Sequence, residues 1–202
     1  AHHRLEASPA AQLTPYVGRE KVLRPLARAW EETCKVSGRV ALLVGEAGVG
    51  KSRLVHVLRE TIVSHSHQRL ECFCSPYYKA SALYPIAEML RARLQVADEE
   101  DPKRQLAGLR AALERHGHDT EEPVALVAQL LGIPPQAGYS PPALHPVTQK
   151  QRTLEVLLSL ILGLAERQPT LLVIEDVPWI DPTTLELLGA LFQRIGTSRL
   201  LT

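Results

Sequence analysis

Gly45, Gly48, Gly50, Lys51 and Ser52, in the stretch GEAGVGKSRL (residues 45–54), have the types and spacing to do chemistry. Three glycines in six residues cost order in any regular element, so this backbone must gain something by staying bare. Residues 45–52 match G-x-x-x-x-G-K-[ST], the spacing of a phosphate-binding P-loop. Backbone N–H groups of residues 46–51 can converge on a phosphate only where side chains keep clear. A helix opening near Lys51 adds its positive N-terminal end. On this reading Gly45, Glu46, Ala47, Gly48, Val49, Gly50, Lys51, Ser52 and Arg53 border a nucleoside triphosphate. Lys51 reaches the β- and γ-phosphates and the Ser52 hydroxyl ligates Mg²⁺, while Arg53 enters the helix with its side chain pointing away.

Such a site needs acidic groups for the metal and for the attacking water. The stretch LLVIEDVPWIDP (residues 171–182) supplies Glu175 and Asp176 after four apolar residues. Ligands of open parallel sheets sit at the carboxyl ends of strands, so this pair is expected to face the phosphates. Glu175 takes Mg²⁺ with Ser52, and Asp176 orients or deprotonates the water. Proteins of this type mostly carry Asp first; Glu175 is one methylene longer. The expected catalytic set is Lys51, Glu175 and Asp176. Asp181, followed by Pro182, reads as a helix N-cap rather than a ligand.

The elements that must position these residues follow from periodicity. Val22, Leu26 and Trp30 recur every four residues and predict a helix within 17–38, with Gly38 as its C-cap. RVALLVG (39–45) predicts a strand buried on both faces, leading into the glycine loop. A helix over SRLVHVLRETIVSH precedes a second strand, RLECFCS (69–75). Residues 81–149 read as a helical insertion of three helices and a Pro-rich loop. PVTQKQRTLEVLLSLILGLAERQ is another helix, PTLLVIEDV (169–177) a third strand, and DPTTLELLGALFQRIG a final helix. SRLLT opens a fourth strand, which in P-loop architectures usually lies between the two motif strands. Alternating strands and helices predict a three-layer α/β domain over 16–202 with a mainly parallel sheet, incomplete at its C-terminus. Residues 1–15 read as a linker.

Composition excludes several classes. Lys and Arg number 23 against 22 Asp and Glu, a net charge of +1, so no overall field favours nucleic acid. The longest apolar run, LEVLLSLILGLA (154–165), is too short for a membrane helix. The start, AHHRLEASPA, lacks the apolar core of a signal peptide. Cys34, Cys72 and Cys74 read as free thiols, and a cytoplasmic location is expected. The histidines, among them His65, His67, His116 and His118, read as solvated helix ends. DEEDPKR (98–104) reads as a charged helix junction.

Four segments in one order, LTPYVGRE, GEAGVGKSRL, CSPYYKASALYP and QPTLLVIEDVPWIDPTTLELL, carry a family likeness. Together they resemble the AAA-type ATPase region of bacterial STAND-class signalling proteins. The chain is most similar to those in which this module follows a class III adenylate/guanylate cyclase, as in soluble adenylyl cyclases. The resemblance implies ATP and Mg²⁺ as cofactors and an attached output domain as partner. It is compatible with a nucleotide-dependent oligomer. It also implies that Val17 and Gly18 contact the adenine. In that group the acidic motif usually reads E-D-L-H-W-A-D-P; here Val177 and Pro178 replace Leu-His, so that histidine is absent. A LuxR-like transcription regulator and a nucleotide-binding scaffold without turnover remain alternatives. SPYYKASALYP has two readings, a sensing loop and ordinary packing.

Overall fold

Two paired strands with opposite faces committed to different helices organise the chain. The computed structural model describes residues 20–64, 66–94, 101–118 and 120–202. Strand β1 (Gln68–Phe73) pairs in parallel with β2 (Thr170–Glu175), and β2 pairs in parallel with β3 (Leu200–Leu201). The register sets Leu70 opposite Leu172 and Cys72 opposite Ile174. Side chains alternate across a strand, so these four share one sheet face, while Leu171, Val173 and Glu175 share the other.

Helices cover both faces. Helix α1 (Glu20–Cys34) and α2 (Lys51–Thr61) pack on Leu171 and Leu201 through Leu26, Trp30, Leu54 and Leu58. On the opposite face lie α3 (Tyr84–Leu94), α4 (Pro102–Glu114), α5 (Glu121–Leu130), α6 (Pro146–Arg167) and α7 (Pro182–Arg194). There Ile86, Leu109, Leu157, Ile161 and Leu187 form a larger core with Leu70, Leu172 and Leu200. The sheet is therefore small and parallel, with helices on both sides and the strand after α7 beside β2.

Three expectations need correction. First, residues 39–45 do not form the doubly buried strand. Arg39 N–H donates to Leu200 O at 3.0 Å and Ala41 N–H to Thr202 O at 2.7 Å, leaving a single parallel bridge, Arg39 to Leu201. Thr202 N–H returns a bond to Arg39 O at 2.9 Å, so this pairing runs to Thr202, the last residue of the sequence. Beyond the bridge, Ala41 and Leu43 turn to the small core, whereas Val40, Leu42 and Val44 are 47%, 76% and 85% exposed. Second, Gly38 is not the cap of α1. The helix ends at Cys34, Val36 takes the left-handed conformation (φ 64°), and a Cβ on Gly38 would lie 2.1 Å from Ile195 O. Close backbone approach is what requires glycine there. Third, His67 and His116 are half-buried rather than solvated, and the His67 ring meets Trp30 edge-on at 5.3 Å between centroids. His65 and the start of the 98–104 junction lie outside the described residues; Asp101 accepts from Lys103 N–H and caps α4.

Candidate nucleotide-binding site

The loop between residue 45 and α2 turns tightly because two of its glycines are left-handed: Gly48 at φ 77° and Gly50 at φ 92°. L-residues with side chains are strained in that region. Val49 N–H closes the turn on Glu46 O at 3.4 Å, and Gly50 is the N-cap of α2. Lys51 Nζ folds back to donate to Gly45 O and Glu46 O, both at 2.9 Å. An ammonium has three N–H donors, so two hold the loop in shape and the third can meet a phosphate oxygen. The loop is exposed apart from half-buried Gly50 and Lys51.

Ser52 and Glu175 are 123 residues apart in the chain, yet Ser52 Oγ donates to Glu175 Oε2 at 2.8 Å. This contact joins the glycine loop to the end of β2. Glu175 is on the α2 face of the sheet by the alternation that buries Leu171. Its other oxygen, Oε1, is buried without a hydrogen-bond partner among the described residues. A hydroxyl and a partly satisfied carboxylate oxygen are hard donors that suit Mg²⁺. Among the described residues no group of three or more His, Cys, Asp or Glu could hold a metal ion by itself, so such an ion would take its remaining ligands from phosphate and water.

Asp176 behaves differently from its neighbour. It leaves β2 in the left-handed conformation (φ 57°) and is exposed. Burial first, then the negative charges of Asp181 and Asp176, push the Cys74 thiol up to about 11. Asp181, 1% exposed, is the N-cap of α7. It accepts from Thr183 and Thr184 N–H and from Thr184 Oγ1, and Oδ1 also accepts from Leu83 N–H at 3.1 Å. That bond ties the 75–84 loop, with Leu83 at φ 59°, to the acidic strand end. In the loop Tyr78 stacks on Tyr84 at 3.7 Å, and Lys79 Nζ is 5.9 Å from the Trp179 ring centre. Arg53 is half-buried in α2. Val17 and Gly18 lie outside the described residues.

Sequence reasoning passed over Arg59 and Glu71. Arg59, its side chain 7% exposed, reaches Glu71 Oε1 at 3.1 Å and Glu175 Oε1 at 3.9 Å. Two signals could have found them. Arg59 is two helical turns beyond Ser52, on the same face, and the alternation of RLECF sets Glu71 on the face of Glu175.

Residues 15–202 match the AAA ATPase domain family. The chain is 30% identical over 176 residues to the uncharacterised protein R02095 of Rhizobium meliloti (strain 1021), an alignment spanning 87% of this chain. It covers 17% of that relative's length. No solved structure matches the chain.

Proposed function

The chain belongs to the AAA ATPase domain family, and from that premise we propose that it binds Mg·ATP between the 45–52 loop and the end of β2, as a regulatory module of a signalling protein. The observation that carries this reading is the 2.8 Å bond between Ser52 and Glu175, which brings the loop and the acid together. The backbone of residues 46–51 and the N-terminus of α2 cradle the phosphates, and Lys51 holds the loop while offering its charge to them. Ser52 and Glu175 hold Mg²⁺, which when bound neutralises charge on the β- and γ-phosphates. Asp176 orients or deprotonates the attacking water. Val17 and Gly18 meet the adenine.

The regulated output is an attached nucleotidyl cyclase. The sequence likeness and the much greater length of the R. meliloti relative support a multidomain setting. Nucleotide binding then biases a two-state arrangement of domains.

Residues 1–202 are expected to bind Mg·ATP yet turn it over slowly. A charge at the γ-phosphate is worth roughly 10³–10⁵ in rate. Arg59 is committed to Glu71 and Glu175, and Arg199 donates to Glu166 O. Calorimetry with Mg·ATP and a steady-state phosphate-release assay on the same preparation test the reading. Saturable binding with turnover far below about 1 s⁻¹ is expected; absence of binding would refute it.

A further inference from the structure

Resting on the reading of Glu175 as the Mg²⁺ carboxylate, we propose that Arg59 and Glu71 are positioning residues for it. Arg59 divides its charge between the two carboxylates, and Glu71 sets how much of that charge Glu175 receives.

The geometry is asymmetric. The guanidinium is 3.1 Å from Glu71 and 3.9 Å from Glu175, so Glu71 holds the closer contact. Glu175 is therefore gripped from two sides. Its Oε2 accepts from Ser52, and its Oε1 faces Arg59 without a hydrogen bond. Three elements fix this arrangement: α2 carries Ser52 and Arg59 on one face, β1 carries Glu71, and β2 carries Glu175. The strand register places Glu71 opposite Val173 and Phe73 opposite Glu175, so the acids sit diagonally on one sheet face with Arg59 above them.

A cation this deeply buried needs paired charge. One guanidinium between two carboxylates leaves a net single negative charge, which a divalent cation can use. Neutralising Glu71 changes that balance. The whole guanidinium charge then falls to Glu175, whose carboxylate becomes the inner half of an ion pair and a poorer ligand. Arg59 acts through Glu175 and touches neither nucleotide nor metal in this account.

The test is an Mg²⁺ titration of ATP binding by calorimetry, on the full chain, with metal-free ATP binding as reference. Glu71→Gln is expected to raise the Mg²⁺ concentration for half-saturation about three- to tenfold, the effect of a partly buried neighbouring charge. Metal-free ATP binding, which rests on Lys51 and the loop backbone, should stay as in the wild type. Arg59→Lys, which keeps the charge, should retain a near-normal Mg²⁺ requirement. A purely structural role would lower the melting temperature without shifting the Mg²⁺ midpoint. Glu71→Asp, which withdraws the carboxylate by one methylene, gives the same rise if Glu71→Gln does not fold. Glu175→Gln is the control. An unchanged midpoint in the Glu71 variants beside a raised one in Glu175→Gln overturns the proposal and leaves the metal assignment standing. No response from Glu175→Gln overturns both.

Discussion

The face of the sheet that carries α1 and α2 rests on a small cluster around Trp30, Leu54 and Leu58, whereas the opposite face buries side chains from five helices. The glycine loop, leading into α2, belongs to the first. Glu175 belongs to the end of β2, which is paired along its whole length with β1 and packed on both sides. The two halves of the site thus stand beside cores of unequal size, and fewer buried contacts mean a lower opening free energy. The Ser52–Glu175 bond is the joint between them. A ligand held by both halves would tighten the weaker one most.

Breaking the small core should give the largest effect. Trp30→Ala removes a side chain 1% exposed and is expected to cost about 3–5 kcal/mol of stability. Amide exchange should accelerate in α2 before α6; equal acceleration in both would mean a single cooperative unit and would break the comparison. Next comes Lys51→Ala, expected to weaken Mg·ATP binding about ten- to hundredfold, roughly 1.4–2.8 kcal/mol. The melting temperature without ligand should barely move, since among the described residues the side chain bonds its own loop, at Gly45 O and Glu46 O. Asp176→Asn should leave binding intact and lower turnover in the full-length protein; weakened Mg·ATP binding instead would place the metal at the exposed acid. The smallest effect lies on the large-core side. Burial, followed by the positive charges of Arg167, Arg93 and Arg115, lowers the pKa of His116. The unfolded chain therefore takes up a proton near pH 6.5 that the folded chain resists. Stability should fall as pH drops below that value, and His116→Gln should flatten the fall in thermal melts.

The glycine loop was legible because its requirement is local: a left-handed backbone at Gly48 and Gly50 leaves its mark on residue type. Strands β1 and β2 and the Asp181 cap were legible for the same reason, through alternation and a side chain serving its own helix. The segment at 39–45 was not. Its apolar, β-branched run fits a buried strand, but burial depends on which neighbour lies alongside, and that is a property of the sheet rather than of the segment. Gly38 was misassigned because its reason is the approach of Ile195, 157 positions later in the chain. Arg59 escaped notice because a lone arginine in an amphipathic helix resembles a surface charge. Only the strand register reveals two carboxylates beneath it.

Amide hydrogen exchange with and without Mg·ATP tests the central claim most directly, because it reads both halves of the site and the large core in one experiment. Added protection is expected at residues 45–54, at the end of β2 around residues 173–176 and at the proposed adenine contacts 17–18, with the α3–α5 helices unchanged. Protection centred on α3–α5, or none at the glycine loop under saturating nucleotide, would contradict it.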